Sequence, residues 1–402
     1  MRILIVGGGV AGLTLAALLR QRGEEPDIVE CVTEYGRVGN LISLWPMGNR
    51  VLRGLRLYEG FWESSVPLRT HVLLDGKGQV IRTSDLSARM APYGEIRTLE
   101  RADLIDLLRS HGGGVPVRTG TTVERIEQDW MTGTSANDRP ARVLFSDGSE
   151  GEFDVVVGAD GFRSRVRRLL FGEVTPKYTG SVLYWWWEDI PLGIEPSTEN
   201  KDFLGPGRLL GLYSGKYRSA RYAMLPAAEA EEANEPSANS LDNATELTEA
   251  RKALLRERLS GFGGETVRKV LDRLDDAGFV ERLELADLLA PRWHMGRIAL
   301  VGDCAATVLP TAGVGASLAM ESAAVLADEL SRTSARYLPG ALRFYEDRRR
   351  KRVERLQNAS RQMIRLSMVR WPMLAAVRDA ALRRMPESIV AGDVAQLLER
   401  PI

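Results

Sequence analysis

Gly7, Gly9 and Gly12 follow the apolar run Ile3-Leu4-Ile5-Val6, and an acid stands at Glu30. Residues of these types at this spacing can hold a dinucleotide. Gly7 permits a tight turn out of a buried strand. Gly9 lets the backbone approach a pyrophosphate, and Gly12 lets the following helix pack on the strand. The run continues through Val10 and Ala11, and the helix that follows offers free N–H groups and a positive dipole end to phosphate oxygens. Glu30 follows Asp27-Ile28-Val29, about 20 residues beyond the glycines, where a carboxylate can accept ribose hydroxyls. A glycine-packed strand–turn–helix is the plainer reading, but it does not ask for the acid. The glycines also interrupt any secretory-signal core.

Two further segments carry the same kind of chemistry. Val155-Val156-Val157-Gly158-Ala159-Asp160-Gly161 is a buried strand ending in a glycine turn, and Ser164 can cap the helix after it. Asp160 can face a ligand or satisfy local N–H groups. Ile298-Ala299-Leu300-Val301-Gly302-Asp303 is another buried strand, and a carboxylate at its carboxyl end can accept a sugar-alcohol hydroxyl. The loop Pro310-Thr311-Ala312-Gly313-Val314-Gly315 then opens a helix. Its small residues let backbone lie flat on a planar ring, and its N–H groups can stabilise negative charge there.

These turns need strands and helices to hold them. The pattern predicts helices over Leu13–Gln21, Gly48–Leu55, Arg101–Ser110 and Ala316–Leu330, and a long charged helix over Leu342–Leu366. Val72–Leu74 and Gln79–Arg82 flank Asp75-Gly76-Lys77-Gly78 as a hairpin. Val115–Thr119 and Thr121–Gln128 alternate as strands. Between Lys177 and Leu225 aromatic β-type segments dominate, which predicts a separate sheet. Pro226–Glu249 is read as a mobile surface loop, with helices near Thr248–Leu259 and Glu265–Leu274. Arg365–Met385 mixes Trp371 with arginines; Pro372 argues against one long membrane-surface helix there.

Composition narrows the function. The chain has 402 residues with 54 basic and 54 acidic side chains, so no global charge draws it to nucleic acid. No apolar stretch reaches transmembrane length. Cys31 and Cys304 are too few for a disulfide framework, so a reducing compartment, the cytoplasm, is the default. His71, His111 and His294 show no metal-ligand spacing. Cys304 reads as a small buried residue, and His294 as structural.

Taken in order, the three glycine–acid motifs resemble the single-component FAD-dependent aromatic hydroxylases of the para-hydroxybenzoate hydroxylase type. The resemblance also covers Leu44-Trp45-Pro46, Arg101, Trp293 to Arg297 and Tyr345 to Arg352. It implies an α/β fold: a Rossmann-like FAD-binding fold interleaved with a β-sheet substrate domain, plus a long C-terminal helix. The corresponding bounds are 1–65, 98–175 and 291–340 for FAD, 66–97 and 176–290 for substrate, and 341–402 for the C-terminal helical segment. It further implies that Glu30 binds the adenosine ribose and Arg101 the phosphate–ribose region. Asp303, after Gly302, would hold the ribitol, while Gly313 and Gly315 abut the flavin ring and Pro310 counts among the cofactor-binding residues. Asp160 would touch FAD and NAD(P)H, and Arg37 would assist the nicotinamide.

By the same resemblance, NADPH or NADH reduces FAD and O2 forms a C4a-hydroperoxide. One oxygen then passes to an aromatic or polycyclic small molecule, most simply by hydroxylation. The flavin carries that chemistry, so no side chain is assigned a catalytic role. Tyr184, Trp185, Trp187, Tyr213 and Tyr222 are the expected substrate wall, with Trp185 and Trp187 on one face of a strand and Trp186 on the other. The chain departs from the family pattern at Ala306, where a histidine is usual, and at Ser317 and Ser322, where Asn and Asp are common.

Two rival readings share the fold. A flavin-dependent halogenase served by a separate reductase fits the tryptophan-rich segment, but Trp185 to Pro191 is one residue too long for its usual pattern and Lys77 sits in a hairpin turn. A non-catalytic binding protein, like the prenylated-GTPase chaperones, would not need the intact Gly302-Asp303.

Overall fold

The computed structural model describes residues 1–36, 39–110, 114–128, 139–230 and 244–386. Apolar runs in the sequence become strands covered on both faces, as parallel sheets require. Ile3–Val6 and Val155–Gly158 are buried throughout and pair in parallel, Ile3 opposite Val155. Ile298–Leu300 extends this sheet beyond the second of them, and Asp27–Val29 beyond the first. His294–Met295 closes one edge antiparallel. Helices Val10–Gln21 and Gly315–Ser331 pack on each other and share one core with the sheet.

The second large element is an eight-stranded sheet. Its central strands are Lys177–Asp189, Arg218–Pro226, Arg208–Ser214 and Glu199–Gly205, followed by Thr70–Asp75 and the edge strand Val80–Asp85. The expected hairpin joins those last two. Alternation divides this sheet in two. Val182, Tyr184, Trp186, Phe203 and Leu210 pack under helices Ala244–Leu259 and Glu265–Asp272. The opposite face looks toward the nucleotide-type sheet. A three-stranded sheet of Leu41–Leu44, Ile96–Glu100 and Val66–Leu68 connects to helix Arg101–Arg109.

The long helix Leu338–Ser367 braces both halves. Tyr345 donates its hydroxyl to the Leu300 carbonyl at 3.0 Å. Gln357 donates to the carbonyls of Leu288 and Thr307. Pro372 starts a separate helix, Pro372–Arg384, since a proline fits the first helical position and disfavours helix before it.

Some expectations change. Val115–Thr119 forms no strand; Arg118 makes one isolated bridge to Val29. Pro116 lacks an N–H, so a continuous ladder is not available there. Within the expected loop over Pro226–Glu249, Ala227–Ala230 and the start of Ala244–Leu259 are helical, in line with their Ala- and Glu-rich content. Residues 231–243 and 387–402 lie outside the described residues, as does His111.

Arg349 and Glu321 join the brace to helix Gly315–Ser331 by an ion pair of 2.6 Å, with 0% and 1% side-chain exposure. Arg352 binds the same carboxylate at 3.0 Å. Removing Glu321 would leave Arg349 charged, buried and unpaired, which costs far more than the pair itself contributes. Glu321→Ala is expected to lower unfolding stability by about 3–5 kcal/mol in urea titrations.

Candidate active site

The glycine turn is built by close backbone approach. Gly7 has φ +114°, and a Cβ there would lie 2.4 Å from the Ala159 carbonyl oxygen. A Cβ on Gly12 would lie 2.0 Å from the Gly7 carbonyl oxygen. Gly12 therefore closes the helix onto the turn, not only onto the strand. Gly9 differs, because the nearest atom to a Cβ there is an Arg101 Nη at 4.0 Å. Its missing side chain leaves room on the ligand side. The first helical bond runs from the Leu13 N–H to the Gly9 carbonyl, and no side chain caps the turn. The N–H groups of Val10, Ala11 and Gly12 are thus left for an anion.

Glu30 sits at the end of Asp27–Val29, where Gly8 N–H donates to Oε2 at 2.6 Å and Val32 N–H to Oε1 at 3.1 Å. These bonds fix its carboxylate beside the turn. Asp160 is tied locally: Ser164 donates to it, as do the N–H groups of Arg165 and Val166. The Ser164 hydroxyl in turn caps the helix by accepting from Arg167 N–H at 2.9 Å. Asp160 still borders the cavity. The turn-capping role is the one its contacts display.

Gly302 has φ +67°, and a Cβ there would meet the Cβ of Ala11 at 2.8 Å. This contact brings Asp303 to the helix start. Asp303 opens onto the cavity while protein surrounds its other sides. Burial lifts its carboxyl to about 6, against the pull of Arg101 and Arg167. Gly313 takes a left-handed turn at φ +60°, and helix Gly315–Ser331 begins without a side-chain cap. Ser317 accepts the Trp45 N–H at 2.9 Å, tying the Leu44-Trp45-Pro46 segment to that helix.

One cavity of about 930 Å³ joins these parts. At one end are Gly7, Gly9, Val10, Ala11, Glu30 and Arg101; in the middle are Asp303, Pro310, Gly313 and Gly315. Beyond them it reaches the inner face of the eight-stranded sheet, where Trp185, Tyr213 and Tyr222 line it. Gly12 and Gly302 stand just behind the wall and shape it. Arg37 lies outside the described residues.

Two expected wall residues are elsewhere. Tyr184 points to the opposite face with Trp186, because side chains alternate along the strand. Trp187 shares the face of Trp185 and meets it edge-on at 5.8 Å, but Arg218 stacks on it at 4.4 Å and it does not line the cavity.

Residues without a motif also line the cavity. Trp45 Nε1 and Thr311 Oγ1 are buried there without a protein partner among the described residues. Trp45 Nε1 would lie 3.8 Å from a Cβ on Gly313, at the loop expected to face a flavin ring. The open helix starts, the uncrowded Gly9, the acids at two stations and these orphaned donors all fit a long, polar dinucleotide carrying a flat ring. Cys304 is buried against Ser164 at 2.9 Å, as a packed residue. His294 binds Glu346 at 2.9 Å. Burial opposes the charge on Glu346. Hydrogen bonds from His294, Trp293 N–H and Arg350 outweigh it and hold the carboxyl at about 2.

The FAD binding domain family matches residues 1–360. The chain belongs to that family. It is 32% identical to the 3-amino-4-hydroxybenzoate 2-monooxygenase of Streptomyces cremeus, over 90% of this chain and 86% of that one. It is 29% identical to the FAD-dependent urate hydroxylase of Klebsiella pneumoniae, over 89% and 88%. The crystal structure of Klebsiella pneumoniae HpxO with FAD and uric acid superposes with a TM-score of 0.84 at 25% identity, covering 99% of this chain and 96% of that one. The protein is an FAD-dependent aromatic monooxygenase, of a family in which NAD(P)H is the typical reductant, and these relatives favour neither rival reading. Among the described residues no helix is long and apolar enough to cross a membrane.

Two outcomes test the cradle. Gly9→Ala fits the observed backbone (φ −81°) and should leave apoprotein melting unchanged. It should weaken FAD binding roughly 10-fold or more, read by fluorescence titration, because its methyl enters the phosphate space. The second concerns Asp303. A carboxyl raised from 3.8 to about 6 favours the apoprotein fully below pH 4, and this contribution is lost as pH rises through about 6. Asp303→Asn apoprotein should gain thermal stability over wild type above pH 6 and lose that advantage near pH 4.

Proposed function

We propose that the protein hydroxylates a small planar aromatic molecule held between the inner face of the eight-stranded sheet and the Pro310–Gly315 loop. The observation carrying this reading is the single cavity that runs from the glycine turn to the sheet. FAD, when bound, supplies the redox and oxygen chemistry. The chain's own residues bind, orient and exclude water.

The assignments follow from position. Glu30 would take the ribose hydroxyls and the N–H groups at Val10 and Ala11 the phosphates, with Arg101 beside them. Asp303 would hold the ribitol. Gly313 and Gly315 would lie against the ring, with Trp45 and Thr311 donating at its edge. The substrate wall would be Trp185, Tyr213 and Tyr222, joined by Leu73, Leu183, Leu204, Leu209 and Met224. These aliphatic and aromatic side chains keep the reacting region dry. The domain bounds 1–65, 98–175 and 291–340 for FAD and 66–97 and 176–290 for substrate follow the same division. The C-terminal segment from 341 would close the far end, where Leu356, Met363 and Leu382 border the cavity.

The first test is anaerobic reduction of the bound flavin by NADPH, with and without a panel of planar aromatic ligands. Faster reduction with one ligand class is the expected result. Flavin that ignores NADPH under every ligand would overturn the reading. Trp185→Ala should raise the KM for the responding ligand roughly 10-fold with little change in FAD affinity, as loss of an aromatic stacking wall implies.

A further inference from the structure

The inner face of the eight-stranded sheet is largely apolar on its central strands, with Arg82 and Ser84 on the edge strand and one polar cluster at one end. There Asp202 projects beside His71, Asn200, Tyr213 and Tyr222, and all five border the cavity. Tyr222 donates to Asp202 Oδ1 at 2.7 Å. His71 Nε2 lies 3.0 Å from Oδ2, and Tyr213 donates to the same oxygen at 3.4 Å. The arrangement is built rather than incidental. Gly211 stands opposite both Asp202 and Tyr222 in register, and a Cβ on it would lie 2.0 Å from the Tyr222 ring. The absent side chain lets that ring cross a whole strand to reach the carboxylate.

This network leaves polar capacity unspent. A carboxylate offers about four lone-pair sites, and three are taken. Asn200, 1% exposed, holds an Nδ2 with no protein partner. Burial and the Asp202 charge push both tyrosine hydroxyls well above their ordinary range, so they remain donors toward Asp202. Among the described residues no guanidinium pairs with Asp202, whose ion-pair partner is His71. Arg82 stands beyond Leu73, one strand further from Asp202; its Nη1 donates to the carbonyls of Leu382 and Met385, and its Nε has no protein partner among the described residues. Arg101 lies at the dinucleotide end, and Arg89 borders the cavity from the short helix Leu86–Met90.

We propose that Asp202, supported by Asn200 and Tyr222, determines substrate specificity, selecting aromatic or heteroaromatic ligands that present N–H or O–H donors and rejecting aryl carboxylates. The inference rests on the sheet-side chamber being the substrate site. A donor edge satisfies the remaining lone pair of Asp202 and offers Asn200 a partner. A ligand carboxylate would instead place a second negative charge beside the first in a weakly screened chamber.

The test uses the FAD-loaded protein and matched probes, benzamide against benzoate and 4-hydroxybenzamide against 4-hydroxybenzoate. Binding is read from the perturbed flavin spectrum. Wild type should bind each amide roughly 10-fold or more tightly than its carboxylate, the scale of a hydrogen bond to a charged group. Asp202→Asn should close that gap while FAD affinity holds. Tighter carboxylate binding in wild type, or a gap that survives in Asp202→Asn, would overturn the assignment. If no probe of either class perturbs the flavin and none alters its reduction, the chamber reading itself fails and this inference falls with it.

Discussion

Backbone packed against backbone, at the carboxyl ends of parallel strands, is the constraint on which this structure depends. Gly7 abuts the carbonyl of Ala159, Gly12 abuts the carbonyl of Gly7, and Gly302 abuts Ala11. None of these contacts has room for a side chain. Together they lock three strand ends and the start of helix Val10–Gln21 into one rigid rim. Everything that can meet a dinucleotide hangs from that rim: the uncapped N–H groups, Glu30, Asp303 and the loop at Pro310. Rigid presentation matters because these groups are fixed dipoles and charges whose value lies in not having to reorganise.

The rim alone does not make a chamber. The second sheet must be held over it, and the long helix does this with polar anchors at several levels. Tyr345 grips the strand at Leu300, Glu321 pairs with Arg349 and Arg352, and Asp287 pairs with Arg361. One departure from the family pattern meets this brace, and two lie elsewhere. Ser322, where an Asp is common, accepts from Arg349 Nε at 3.2 Å, next to the charge on Glu321. A carboxylate there would add a second acid to one already paired. Ser317, where an Asn is common, accepts the Trp45 N–H and so fixes the segment carrying the orphaned indole. Ala306 is buried in a two-residue strand opposite Leu289.

The legible part of the sequence was local. The glycines, Glu30, Asp160 and Asp303 could be placed because each sits within a few residues of the strand it terminates, and steric rules act at that range. The alternation of Trp185, Trp186 and Trp187 was legible for the same reason. Which face of that strand looks inward is not, and Tyr184, expected in the wall, lies on the other face with Trp186. That choice is settled by helices Ala244–Leu259 and Glu265–Asp272, distant in sequence. Asp160 shows another limit, since a motif position can be spent on capping its own helix.

The Asp202 cluster was invisible for a deeper reason. Its members come from four strands, at residues 71, 200–202, 213 and 222, and nothing in the spacing joins them. The one signal is Gly211, a glycine between Leu210 and Leu212 inside a strand, which marks close approach by something bulky. Dinucleotide recognition and substrate recognition therefore differ in how they are written into the chain. The first repeats a local solution, strand end to glycine to helix start. The second depends on sheet register, so single substitutions on alternate positions can re-pattern the wall while the rim stays intact. That separation explains how a chain with an unaltered glycine rim can carry a substrate end of its own charge and shape.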